Sequence, residues 1–131
     1  MRLGKGREVA GRSTVPLVRN VPRLLMLMRT SFLFALVLGL GDMFGWFPMT
    51  KLLLVVHIVF GLEVLVAAAL IAAVSRQPAA WIGVGVIVVA GVSSVFLVSS
   101  NITLGLSHLA SMVIAVGLVE MAAARYKKTA G

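Results

Sequence analysis

Four apolar stretches, running approximately over residues 24–47, 52–74, 80–98 and 102–124, fill most of this 131-residue chain. Each is close to the roughly 20 residues that carry a helix across about 30 Å of hydrocarbon. Lipid offers no partner to a free N–H or C=O, so a crossing segment must satisfy its own backbone, as a helix does. The connections Ser75-Arg76-Gln77-Pro78 and Ser99-Ser100-Asn101 are short, and short loops force consecutive helices to pack antiparallel. The predicted fold is therefore an all-α integral membrane protein, an up-down-up-down four-helix transmembrane bundle over residues 21–126. A basic tail at 1–20 precedes it and a short basic segment at 127–131 follows. The residue balance agrees: 60% are apolar and 12% charged, whereas a soluble surface carries roughly 25–35% charged residues.

Charge placement predicts the orientation. Arg2, Lys5, Arg7, Arg12, Arg19, Arg23 and Arg29 precede or open the first span. Arg76 separates the second from the third, and Arg125, Lys127 and Lys128 follow the fourth. Only Lys51 falls on the other side, so eleven of the twelve basic residues share one face, and both termini of this multi-pass chain are expected in the cytoplasm. The formal charge of +8 is accounted for by topology and by attraction to anionic lipid. No interleaving of aromatic with basic residues points to nucleic acid. The basic start before an apolar run has the look of a signal peptide, but the run is long and no small-residue cleavage site follows.

Local signals mark the connections. Pro22 suits a first helical turn, and Arg23 and Arg29 can extend toward headgroups. Phe44, Trp46 and Phe47 mark an interface, and Thr50 is the expected cap of the second helix. Asn101-Ile102-Thr103 matches a glycosylation sequon, discounted because it lies almost against the membrane. In the third stretch Gly83, Gly85, Ala90, Gly91, Ser93 and Ser94 permit close helix approach in lipid.

The chemistry the chain can perform is narrow. With no cysteine, disulfides, thiolate-held metals and iron–sulfur clusters are excluded. The two histidines, His57 and His108, stand six residues beyond Lys51 and five beyond Thr103, each roughly 8 Å into its helix. The second and fourth helices run the same way, so both imidazoles are expected at one depth on the outer side. Polar side chains in a span need partners. These rings can clamp a haem iron from both faces, bond between helices, or hold zinc or copper, although two nitrogens without thiolate or carboxylate neighbours make a poor closed metal site. Haem b is the expected cofactor, with His57 and His108 as iron ligands. Gly61, one turn on from His57, lets a porphyrin edge approach backbone, and Gly105 lies on the His108 face. Ser111, with Ser107 and Thr103, is a candidate partner for the second nitrogen of His108. Met112 is also near His108, where packing is the simpler role.

Lys51 is the cation on that side and a natural partner for a haem propionate. Glu63, some 9 Å deeper than His57 and off its face, is expected as polar glue between helices, a proton relay, or a contact to quinone or a haem substituent. Glu120 is expected near Arg125 or the headgroups.

The chain resembles small four-helix b-type membrane cytochromes, and in particular one four-helix half of the haem A synthase family. The shared residues are His57-Ile-Val-Phe-Gly, Gly91-Val-Ser-Ser-Val and Ser107-His108-Leu109-Ala110, within about residues 50–120. The resemblance implies axial ligation by His57 and His108. The family's second half, its outer-loop cysteine pair and its carboxylate one turn before the histidine are missing; Leu53 and Leu54 stand at that last position. The functions left open are a bis-histidine cytochrome for electron transfer or haem handling, a haem-dependent oxidoreductase acting on haem, a quinol or a small oxidant, and a cofactor-free accessory or assembly subunit of a respiratory complex. The expected partners are the lipid bilayer, a quinone or redox protein, and a second copy of the chain.

Overall fold

The computed structural model describes residues 20–96 and 101–130; the basic tail expected over residues 1–20 lies, apart from Asn20, outside them. Four helices follow one another: α1 (Val21–Met43), α2 (Lys51–Ser75), α3 (Pro78–Phe96) and α4 (Ile102–Ala130). They pack as two hairpins, α1 with α2 and α3 with α4. These join chiefly through α2 against α3, while α2 also meets α4 across the bundle and α1 touches α4 only sparingly. The result is an all-α, up-down-up-down four-helix membrane bundle. α1, α2 and α4 are long and apolar enough to cross a membrane; α3 is equally apolar but has 19 residues, about 28 Å of helix.

The helix ends follow from local chemistry. α1 stops at Met43, short of the expected residue 47, because Gly45 adopts φ +67°. The Gly45 N–H donates to the Asp42 carbonyl and the Trp46 N–H to the Gly41 carbonyl, the paired bonds of a Schellman stop. The side chain of Thr50 accepts from the Leu53 N–H at 3.2 Å and caps α2 as expected. α2 ends on Arg76 in the left-handed region at φ 52°, and Pro78 opens α3 immediately after. Asn101 caps α4 by accepting from the Thr103 N–H at 2.9 Å, a role the sequon reading passed over. α4 continues to Ala130, so residues 127–130 of the expected basic end are helical.

Each helix buries one stripe. On α2 it includes Val64, Ala68 and Ile71; on α4, Met112, Ala115 and Val119; on α1, Val21, Leu25 and Met28; on α3, Ala80, Ile87 and Ala90. These residues crowd toward the end of the bundle that holds Arg23, Arg76 and Arg125, here termed the basic end. Small side chains allow the approach: a Cβ added at Gly83 would fall 2.8 Å from the Ala115 carbonyl oxygen, so α3 and α4 meet backbone to backbone there. Gly85 and Gly91, expected to act likewise, face open space. At the opposite end, no residue of α2 before Val64 and none of α4 before Met112 is buried. That is the end where both histidines sit.

Candidate functional site

His57 and His108 are each the seventh residue of their helix, six beyond Lys51 and six beyond Ile102, so each lies about 9 Å from its helix start. Each also heads the inward stripe of its helix. Steps of four and three lead from His57 through Gly61 to Val64, Ala68 and Ile71, and from His108 through Met112 to Ala115 and Val119. Both rings are half-buried at the point where the packed interior opens, close enough for the charge of one to act on the other.

Their immediate surroundings differ. Nδ1 of His108 stands 3.2 Å from the Ala90 carbonyl of α3. A carbonyl only accepts, so this bond requires the proton on Nδ1 and leaves the Nε2 lone pair available. The ring of His57 leans on α1, where its Cε1 would lie 3.4 Å from a Cβ added at Gly39. Its Nδ1 is buried and makes no well-aligned hydrogen bond among the described residues, although the Ala35 backbone of α1 lies near the ring. An imidazole nitrogen without a well-placed partner in a low-dielectric interior is costly.

The other predicted site residues divide. Gly61 opens onto free space, so nothing blocks a ligand from its backbone. Gly105 is covered instead: the Met43 sulfur would be 3.3 Å from its Cβ, making this an α1–α4 contact. Ser111 does not reach His108. Its hydroxyl donates to the Ser107 carbonyl at 2.8 Å, and that of Ser107 to the Thr103 carbonyl at 2.8 Å, because a serine inside a helix finds the preceding turn nearer than any neighbouring helix. Lys51 is exposed as the first residue of α2. Among the described residues no three of His, Cys, Asp or Glu gather as a metal cluster.

Two further polar links cross between helices. Ser31 of α1, only 2% exposed, donates to Glu63 Oε2 at 2.7 Å, which fits the interhelical role expected of Glu63. Glu120 turns away from the expected Arg125 and meets Arg29 of α1 in a two-pronged ion pair, Nε to Oε1 at 2.5 Å and Nη2 to Oε2 at 2.6 Å. Sequence reasoning had only local neighbours to offer Glu120, whereas its partner is 91 residues away. Arg29 was expected to reach headgroups rather than Glu120, and Ser31, Gly39 and Met43 were missed; all four belong to α1. Nothing local in α1 signals which of its faces meets the other helices.

No family model matches the chain, and no curated protein and no solved structure matches it either. What the structure bears out of the expected resemblance is a four-helix, mostly membrane-spanning all-α bundle.

Proposed function

We propose that the chain is an accessory or assembly subunit that acts inside the bilayer, through its helices, as part of a larger membrane complex. The observation that carries this reading is the use made of the polar groups within the spans. Ser31 and Glu63 join α1 to α2, Arg29 and Glu120 join α1 to α4, and His108 holds a carbonyl of α3. These residues hold helices together within the protein itself. Connections between the helices are short, so the described chain presents helix faces and two rims to a partner. The respiratory setting is what the resemblance adds. In this reading both termini are cytoplasmic, and reporters fused at residues 1, 77 and 131 should read as internal, one at residue 46 as external. The full chain, solubilised gently from its native membrane, should migrate as one band with other proteins at fixed stoichiometry. Migration alone, or only with copies of itself, rejects the subunit reading.

A second reading, a b-type haem held between His57 and His108, is favoured by a specific pair of facts. The two rings head the inward stripes of α2 and α4 at the same step from their helix starts, and the space beside Gly61 is open. The residues fit the group. His108, its tautomer fixed by the Ala90 carbonyl, presents Nε2; His57 supplies the second imidazole; Gly61 leaves backbone open beside it. Lys51 lies at the same rim, where a propionate would find a cation. Bound haem would supply one-electron chemistry, and haem modification or quinol oxidation would depend on that site existing first. Sharp α and β bands in the reduced, purified chain, lost in both His57→Ala and His108→Ala, support this reading. Colourless protein from haem-supplied cells rejects it.

A further inference from the structure

Two thioethers stand around the histidine pair. Met43 closes α1, and its sulfur would lie 3.3 Å from a Cβ added at Gly105, three residues before His108 on α4. Gly39, one turn before Met43 on the same face of α1, is where the ring of His57 rests. One face of α1 thus touches the histidine turns of both α2 and α4. Met112, one turn beyond His108 on the buried stripe of α4, is 8% exposed. Side chains on a helix lean toward its N-terminus. Because α1 and α4 run in opposite directions, Met43 leans inward from the rim and Met112 leans outward from the packed core, toward the turn that carries His108. Imidazoles and thioethers from three helices therefore bound one region at the mouth of the packed interior.

The donor set selects its ion. Every one of these four groups is neutral, and His108, with its Nδ1 proton on the Ala90 carbonyl, offers the Nε2 lone pair. Among the described residues no carboxylate joins them: Glu63 is bonded to Ser31, Glu120 is held by Arg29, and Asp42 is exposed and forms no cluster with the two histidines. A divalent ion on neutral ligands would carry two uncompensated charges into a low-dielectric span, whereas a monovalent one carries a single charge. Zinc takes thiolate, imidazole or carboxylate, and hard cations take oxygen. Thioether sulfur together with imidazole favours the soft cuprous ion.

We propose that His57, His108, Met43 and Met112 bind one cuprous ion. The site shares its imidazoles with the haem reading but does not rest on it, because bis-histidine haem needs neither sulfur. The full-length chain is purified in neutral detergent from cells unable to make haem, kept reduced with ascorbate, and titrated with Cu(I) against bathocuproine disulfonate, a chelator coloured when it holds that ion. The chain should withdraw one Cu(I) per molecule, and X-ray absorption at the copper edge should find both nitrogen and sulfur neighbours. Met43→Leu and Met112→Leu preserve side-chain volume. Each should weaken binding by at least about tenfold, the lower bound for losing even a group that only supports a metal ligand. Met121→Leu, nine residues deeper than Met112 and exposed, should bind copper as the parent does. Variants are compared at parental melting temperature without copper. Colourless protein from haem-supplied cells, which rejects the haem reading, leaves these expectations in place. Failure to take copper from the chelator, nitrogen neighbours alone, parental affinity in either Met43→Leu or Met112→Leu, or an equal loss in Met121→Leu overturns the proposal.

Discussion

The two halves of this bundle are built on opposite plans. Toward the basic end, α2 and α4 bury Val64, Ala67, Ala68, Ile71, Ala115 and Val119, mostly small or branched side chains that let helices come close. Toward the histidine end the same two helices bury nothing, and what faces inward is Gly61 and two imidazoles. In lipid the transfer of apolar surface from water no longer drives helices together, so stability depends on contact and on the few polar links. The packed half therefore holds the fold together, and the open half is free to vary or to hold something.

This contrast is most sharply tested by truncation. Ile71 is fully buried, and Ile71→Ala should lower stability by about 2 kcal/mol, the low end of the range for buried aliphatic truncations because part of that range is transfer from water. Leu53→Ala, on the half-buried face of the histidine half, should cost less than about 1 kcal/mol by the same reasoning. Unfolding of both in mild detergent with increasing denaturing detergent makes the comparison. Equal losses would mean that the histidine half is packed as tightly as the other.

A second test uses two glycines two residues apart in one helix. Gly83→Ala must push α3 off the Ala115 carbonyl and should cost about 1–2 kcal/mol. Gly85→Ala meets nothing and should gain up to about 1 kcal/mol from helix propensity. A matching sign in the two variants would refute the backbone contact between α3 and α4.

The two ends also solve the same backbone problem differently. At the histidine end α1 stops through Gly45 at φ +67°, and at the basic end α2 stops through Arg76 at φ 52°. A side chain in the left-handed region costs about 1 kcal/mol that glycine avoids. Gly45→Ala should therefore destabilise by about that amount and Arg76→Gly should stabilise by a similar one. If Arg76→Gly lowers the melting temperature instead, the arginine contributes a contact that outweighs its backbone.

The contrast between the halves was only partly legible in the sequence. Span lengths, short turns and the Thr50 cap are local properties, and the four helices followed from them. The depth of the histidines was legible too, since it needs only an offset from each helix start. Burial was not, because a membrane helix is apolar toward lipid and toward its neighbours alike, so hydrophobicity does not mark the inward face. The Arg29–Glu120 link was illegible for another reason: it joins the first helix to the last, and each residue taken alone has a plausible local explanation. Gly105 shows the same limit, since its place on the His108 face suggested an open surface and only the packing of α1 reveals Met43 over it.

The smallest expected effect is the one that bears most directly on the histidines. If they serve packing alone, their different surroundings should separate them. His108→Ala loses the bond to the Ala90 carbonyl and should cost about 0.6 kcal/mol, the average of interhelical hydrogen bonds in membrane proteins. His57→Ala removes a buried nitrogen that makes no well-aligned bond, the Ala35 backbone being near but not squarely placed, and should cost less than the His108 variant. Should a ligand bridge the two rings, this asymmetry disappears, because either substitution breaks the same site and the ligand's stabilisation of the folded chain is lost with it. Melting curves of both variants, taken from cells grown with and without added haem precursor, therefore distinguish the plans. Unequal, small shifts under both growth conditions assign the histidines to the protein's own packing. Equal and larger losses confined to precursor-fed cells assign them to a bound group.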